Sequence, residues 1–267
     1  MPENNNLIKI KVWLDDTYAK YHHRTWLGSD PLQFVYRYNN PLDQEIAGLI
    51  AASLAYGNVT SIHRSIENVL GRIGPNLRQF IEFSDKRAIS RAMRGFRHRW
   101  TDELAITELL DGVRQVVIRH GSLGLAFTNL DNGCGTILKT LSHWVRELQP
   151  AIKRKHLRFL LSDPERNSAC KRLNLYLRWM IRKDEIDPGC WGGVSPSRLM
   201  IPLDVHVFRF ATACGLTRRR AADGKTVDEI TSFFRRISPT DPVRYDFSLT
   251  RPGIIDGWQP RIGVKLS

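Results

Sequence analysis

The segment at residues 44–55 constrains the fold more than any other part of the chain. It reads QEIAGLIAASLA, with apolar or small residues at almost every position after the first two. A helix at a protein surface carries polar residues along one face, whereas a helix that is apolar all round is buried. The sequence therefore predicts a buried central helix, opened by Asp43, against which the other elements pack.

The remaining chain carries the signals of further helices. Residues 60–73 place Ile62, Ile66, Val69 and Ile73 at steps of three and four, and Gly74 ends the pattern. Ser168, Asp204 and the pair Thr226/Glu229 provide helix-opening signals. The predicted helices lie near residues 77–83, 86–95, 102–119, 134–148, 151–161, 168–182, 204–214 and 226–238, with a last one after Asp241-Pro242. No stretch alternates with period two for long enough to predict a strand. The fold class predicted is all-α.

The charge balance points to a polyanionic partner. Lys plus Arg minus Asp plus Glu is 40 − 27 = +13, and the pI is about 9.9. A surplus of this size is typical of nucleic-acid binding. A membrane is disfavoured, because the longest apolar run, residues 46–56, is half of the roughly 20 residues that span a bilayer. The start lacks the pattern of a secretory leader, so we expect a cytoplasmic, nucleoid-associated protein.

The four cysteines do not indicate a metal cluster or a disulfide framework. Cys134, Cys170, Cys190 and Cys214 are scattered, with no C-x-x-C pair. An iron–sulfur cluster needs cysteines within a short stretch. In a cytoplasmic protein such scattered thiols are expected to be reduced.

Lys171 is the first candidate for chemistry. With Ser168 as the N-cap, Lys171 stands near the third helical position, where the helix dipole disfavours a cation and so favours the neutral, nucleophilic amine. An ordinary surface lysine is the alternative. On the same helix, Lys171, Arg178 and Arg182 share one arc, which is either a solvated face or a basic stripe that binds phosphates.

Asp204 is the second candidate. It precedes an apolar run and is a normal helix N-cap, which by itself explains its presence. His206, two residues on, suggests a metal-dependent phosphodiesterase as a third and weaker interpretation. No second His and carboxylate cluster supports a metal site, so we expect none.

Three stretches resemble known families. Residues 202–209, PLDVHVFR, resemble the Val-Asp-Thr-His-x-x-Arg segment of the helix-hairpin-helix DNA glycosylase superfamily. Residues 168–180, SACKRLNLYLRWM, and 241–247, DPVRYDF, are similar to motifs of an uncharacterised bacterial family, a resemblance that extends over about residues 26–254. The characterised branch most similar to the chain is the archaeal 8-oxoguanine DNA glycosylases. The Leu-Pro-Gly-x-Gly hairpin of the superfamily is absent, and the glycine-free residues 161–167 stand in its place.

This resemblance implies two helical subdomains with the active site in the cleft between them. Residues 41–160 would form the central subdomain, and residues 1–40 plus 161–267 the second. Lys171 would be the Schiff-base nucleophile and Asp204 the catalytic carboxylate, with no metal or cofactor. Asn58 and the helix arginines, namely Arg172, Arg178 and Arg182, would contact DNA.

A glycosylase must also hold the base that it flips out of the duplex. Aromatic side chains are candidates for the walls of that pocket. We select four as substrate-binding residues, namely Tyr56, Trp179, Trp191 and Phe247, and two further candidates are Trp26 and Tyr245.

The leading hypothesis is a monomeric, bifunctional DNA glycosylase and AP lyase. Its partner would be double-stranded DNA with a damaged base, 8-oxoguanine being favoured and uracil or alkylated purines staying open. The alternative is a non-catalytic helical module that binds nucleic acid through the basic stripe. That alternative keeps the charge but gives Lys171 no special role.

Overall fold

Helices make up most of the molecule. The computed structural model describes residues 2–149 and 159–255, with 67% helix and 3% strand, so the all-α prediction is confirmed. In chain order the described α-helices are α1 Pro2–Tyr21, α2 Pro41–Leu54, α3 Val59–Ile73, α4 Leu77–Phe83, α5 Lys86–Ala92, α6 Glu103–His120, α7 Leu123–Leu130, α8 Leu138–Leu148, α9 Lys171–Ile181, α10 Val205–Ala213, α11 Gly224–Ile237 and α12 Asp246–Ile255. Four short 3-10 helices lie at Arg24–Ser29, Pro31–Arg37, Pro164–Arg166 and Pro196–Arg198.

Helix α2 is the buried central helix that the sequence predicts. Every residue from Glu45 to Leu54 is buried, and α2 packs against the 3-10 segment Pro31–Arg37 and against α3, α4, α7 and α9. None of the described helices is long and apolar enough to cross a membrane. The apolar side chains of α2 are covered by these neighbouring elements.

A small residue allows α9 to approach α2 closely. A Cβ at Gly48 would lie 2.9 Å from Met180 Cε and 3.2 Å from Tyr176 Cε2. The Tyr176 hydroxyl donates a hydrogen bond of 3.1 Å to the Glu45 carbonyl. This contact fixes α9, and with it the start of α9 at Lys171, against the centre of the molecule. It also joins the two predicted subdomains directly, and their division at residues 41–160 stays a prediction.

The two ends of the described chain pack together. Helix α1 lies against α12, the Tyr245 hydroxyl donates a hydrogen bond to Asp15 at 2.6 Å, and Trp13 stacks on Phe210 with ring centroids 5.3 Å apart. All four cysteines are free thiols. The helix predicted at residues 151–161 lies mostly outside the described residues.

Several helix starts differ from the sequence prediction. The N-cap of α2 is Asn40, not Asp43, because the helix begins earlier, with a proline in its first position. The N-cap of α11 is Asp223, whose side chain accepts the Thr226 N–H, so the predicted capping box at Thr226 is wrong. Residues 242–245 form turns, and α12 begins only at Asp246.

A small hairpin is the one sheet within the described residues. Strand β1, Arg97–His98, pairs antiparallel with β2, Thr101–Asp102. The hairpin is held by the Tyr56 hydroxyl, which donates to the His98 carbonyl at 2.8 Å and lies 2.6 Å from Thr101 Oγ1. Its two-residue strands are too short for a period-two pattern to reveal.

Candidate active site

A cleft of about 620 Å³ lies beside the start of α9 and the start of α10. Side chains from both helices, from the end of α2 and from α12 line it, and among them are Lys171, Asp204, Tyr56, Arg178, Asp246 and Arg251. The two predicted catalytic residues, 204 − 171 = 33 positions apart in the sequence, therefore face one space.

Lys171 is the first residue of α9. Cys170 occupies the N-cap position in the left-handed conformation, with φ 45°, and its side chain makes no capping bond. Ser168 Oγ instead accepts the Cys170 N–H at 3.2 Å, so the predicted Ser168 cap is wrong and Lys171 stands two positions earlier in the helix. The first N–H groups of a helix have no partner within it. Lys171 therefore stands at the N-terminus of α9, and its side chain lines the cleft.

Asp204 divides its two carboxylate oxygens between two roles. Oδ1 accepts the N–H groups of His206 at 2.9 Å and Val207 at 2.8 Å, which caps α10. Within the described residues Oδ2 accepts no hydrogen bond, and the half-buried side chain lines the cleft. Capping and chemistry therefore do not compete, since each can use its own oxygen.

A buried ion pair lies behind this carboxylate. Asp246 accepts a hydrogen bond from Arg178 through Oδ2, while its Oδ1 has no hydrogen-bond partner among the described residues. The pKa of Asp246 is raised to about 7: burial is the main cause, the Arg178 charge opposes it, and the nearby Asp204 carboxylate adds to it. The lining of the cleft thus includes three carboxyl groups, those of Asp30, Asp204 and Asp246, and the charges of Asp204 and Asp246 interact.

The aromatic walls are only partly where the sequence predicts them. Tyr56 lines the cleft. Trp179 and Trp191 lie in the core, the latter donating a 2.9 Å hydrogen bond to Glu45, so both are wrong as cleft walls. Phe247 is also buried and lies behind the lining, with the Arg251 guanidinium 4.2 Å from its ring centroid. Trp26 and Tyr245, the two further candidates for the pocket walls, are not among the described residues that line the cleft.

Residues 30–255 match a family described as a protein of unknown function, DUF2400. The match covers well over half of the chain. The chain belongs to the DUF2400 family. The matched segment includes Lys171, Asp204 and Asp246, so the candidate site lies inside the part that defines the family. No curated protein and no solved structure matches the chain.

The predicted basic stripe is not a surface of this DUF2400 protein. Arg178 and Arg182 are 2% and 4% exposed. Arg178 donates to Asp187 at 3.1 Å as well as to Asp246, and Arg182 bonds Asp241 at 2.9 Å and also Asp187. Buried and neutralised guanidinium groups cannot reach a phosphate on the protein surface, so the predicted DNA contact through these two residues is wrong.

Removal of Arg178 is expected to destabilise the fold. Arg178→Leu leaves the buried Asp246 without its ion-pair partner and Asp187 with Arg182 alone, which should lower the free energy of unfolding by about 3–5 kcal/mol. Urea unfolding measures this, with exposed Arg91→Leu as the control, expected within ~0.5 kcal/mol of wild type. A decrease below ~1 kcal/mol for Arg178→Leu would show that the network does not stabilise the fold.

Two other predicted DNA contacts lie beside the cleft. Asn58 is exposed and caps α3, its side chain accepting the Ser61 N–H at 2.8 Å. Arg172 donates to the Ser53 carbonyl at 3.1 Å, and its guanidinium lies 5.2 Å from the Tyr56 ring centroid. Burial lowers the pKa of Arg172 to about 10. Arg172 thereby holds the start of α9 to the end of α2, and a DNA contact by either residue stays a prediction.

The sequence analysis missed an exposed aromatic residue next to the cleft. Trp100, in the turn of the β1–β2 hairpin, is 68% exposed. Its ring stacks on Tyr56 at a centroid distance of 6.5 Å, and the Arg99 guanidinium lies 4.7 Å from its centroid. The residues Arg-His-Arg-Trp at 97–100 were the available signal, because a tryptophan that follows two closely spaced arginines is unusual in a core.

A turn with left-handed residues replaces the missing glycine hairpin. Asn167 and Cys170 have φ of 56° and 45°, a region that glycine adopts without strain and asparagine tolerates. The Asn167 carbonyl accepts the Gly224 N–H at 3.0 Å, which ties this turn to the start of α11. The chain therefore makes the turn before Lys171 without glycine.

The third hypothesis, a metal-dependent phosphodiesterase, gains nothing from the geometry. Over residues 2–149 and 159–255, no group of three His, Cys, Asp or Glu side chains is arranged to hold a metal ion. His206 lines the cleft, but its ring packs against Gly253, where a Cβ would lie 2.3 Å from Nδ1.

Proposed function

We propose that this protein is a bifunctional DNA glycosylase and AP lyase that removes a damaged base, with 8-oxoguanine as the first candidate. The observation that carries the proposal is the convergence of Lys171 and Asp204 on one cleft, with Asp204 Oδ2 unpartnered among the described residues. Schiff-base chemistry at a sugar carbon needs an amine as the nucleophile and a nearby group, such as a carboxylate, that takes its proton. The choice of 8-oxoguanine comes from the sequence resemblance alone.

The two residues divide the reaction between them. The Lys171 ammonium gives a proton to Asp204 Oδ2, and the freed electron pair of the amine forms a bond to C1′ of the damaged nucleotide. The bond from C1′ to the base breaks, and its electrons leave with the base. The proton on Asp204 Oδ2 passes to the departing base, and the carboxylate thus restored offsets the positive charge at C1′ and its new nitrogen. The second amine proton passes to O4′ as the C1′–O4′ bond breaks, and the nitrogen electron pair forms the C=N bond of the protonated Schiff base.

The surroundings of the cleft suit a nucleotide taken out of a duplex. A volume of about 620 Å³ is in the range of small-molecule sites. Tyr56 lines one side and the exposed Trp100 stands next to it, and aromatic rings of this kind stack on bases. The net charge of +13 supports binding to the phosphate backbone. The proposed chemistry requires neither a metal nor a cofactor.

The test uses the wild-type protein and a panel of duplexes. Duplexes with 8-oxoguanine, uracil, an alkylated purine or an abasic site, and an undamaged duplex, are incubated with and without borohydride. We expect a covalent adduct on the abasic duplex and on one lesion duplex, because borohydride reduces the Schiff base to a stable amine. Binding to the duplexes with neither excision nor adduct would reject the proposal and favour the non-catalytic binding module.

A further inference from the structure

Five exposed arginines lie between the start of α5 and the turn of the β1–β2 hairpin. We call them the arginine track, and they are Arg87, Arg91, Arg94, Arg97 and Arg99. Within the described residues none of them forms an ion pair with a carboxylate, whereas the neighbouring Lys86 pairs with Asp111 at 3.6 Å. The acidic side chains near the track are used elsewhere: Asp85 caps α5 and Asp102 caps α6.

The like charges of the arginine track destabilise the segment that carries them. Arg87 and Arg91 are four residues apart on α5, so their charges share one side and repel. Arg94 follows in the turn after the helix. Arg72 adds a further cation by donating to the Ala92 and Arg94 carbonyls at 2.9 and 2.8 Å. A surface that concentrates unpaired like charges is suited to an anionic partner that neutralises them.

The track leads to the mouth of the cleft. Arg97 lies on β1, and Arg99 stands in the hairpin turn with φ 53°, a conformation that is strained for a residue with a side chain. A Cβ at Gly57, which lines the cleft, would lie 3.0 Å from Arg99 Cδ. Bonds from Tyr56 fix the hairpin, so the position of Arg99 relative to the cleft is rigid.

We propose that the arginine track binds the phosphate backbone of duplex DNA on one side of the cleft, beyond the nucleotide that enters it. The inference rests on the proposed function for the identity of the nucleic acid. Guanidinium groups bind phosphate oxygens in a forked, two-bond geometry and stay charged at all physiological pH values. The track replaces the buried Arg178 and Arg182 as the main arginine surface for DNA.

The experiment measures binding of undamaged duplex DNA as a function of salt concentration. The track variant is Arg87→Gln/Arg91→Gln/Arg94→Gln, in which glutamine keeps helix propensity. The control is Lys9→Gln/Lys139→Gln/Lys183→Gln, which removes the same charge from exposed sites elsewhere. The slope of log K against log salt should fall by about 0.9 for each phosphate that the protein no longer neutralises, or ~2.7 in the track variant, and stay unchanged in the control.

Two results would overturn the inference. An unchanged slope in the track variant would mean that the arginines serve another partner, such as an acidic protein. An equal fall in both variants would mean that net charge alone matters. Circular dichroism verifies the fold of each variant. The failure of the proposed function is separate, because it is read from adduct formation on abasic DNA and not from binding.

Discussion

Lys171→Gln is expected to form no borohydride-trapped adduct on any duplex. An amide nitrogen cannot form a Schiff base, so both base excision through the lysine and strand cleavage stop at the first step. Lys171 is half-buried at the start of α9 and makes no hydrogen bond or ion pair among the described residues. Its replacement should therefore change the free energy of unfolding by only ~0.5 kcal/mol.

Adduct formation is measured by denaturing gel electrophoresis after borohydride reduction, with circular dichroism to show that the variant folds. Lys225→Gln serves as the matched control, because Lys225 is an exposed lysine at the start of α11, next to the turn that precedes Lys171. The control should be trapped as efficiently as wild type. Undiminished trapping in Lys171→Gln would assign the nucleophile to another amine.

Local sequence patterns predicted most of the helices because most are determined by short-range periodicity and capping. The missed elements depend on tertiary contacts. Helix α1 begins with proline and polar residues, and it is fixed by Trp13 on Phe210 and by Asp15 on Tyr245. Helix α7 is eight residues long, too short for periodicity to distinguish, and its first N–H groups are satisfied by the buried Glu45.

The part of the candidate site that could be predicted from the sequence consists of residues chosen by their type and by their position at a helix start. Lys171 and Asp204 stand at helix starts. The Asp204 cap was predicted correctly, and the start of α9 was predicted near Lys171 although its cap is Cys170 and not Ser168. Arg178 and Arg182 could not be assigned in this way, because their helix face looks like a polar surface. The partners that bury them, Asp187 and Asp246, come 9 and 68 residues after Arg178, so the ion pairs are visible only in the fold.

The aromatic residues also show that burial cannot be read from the local sequence. Trp179 and Trp191 occupy the core because α9 packs on α2, whereas Trp100 is exposed because a two-residue hairpin presents it. Aromatic identity alone does not distinguish a core ring from a stacking ring. The preceding arginines at 97 and 99 provide that distinction once the hairpin is known.

Asp204→Asn is expected to separate capping from catalysis. Asparagine caps a helix about as well as aspartate, so the N–H groups of His206 and Val207 keep an acceptor. The melting temperature should change little, with a decrease of about 0.3–1 kcal/mol in stability from the weaker dipole interaction. Excision should nevertheless fall by about 100- to 10,000-fold, because a neutral amide takes no proton from Lys171 and offsets no charge at C1′.

Single-turnover excision and thermal unfolding are measured on Asp204→Asn and on Asp204→Ala, which also removes the cap and should cost about 1 kcal/mol more.

A third measurement reports the charge of the Asp204 side chain. The Asp204 carboxylate helps to raise the pKa of Asp246, so in Asp204→Asn the NMR titration midpoint of Asp246 should move down from about 7. A variant with that shift but a wild-type excision rate would show that the Asp204 charge is present in the cleft and unused. The catalytic assignment of Asp204 would then be wrong, whereas loss of excision at near-native stability requires that its free oxygen takes part in the reaction.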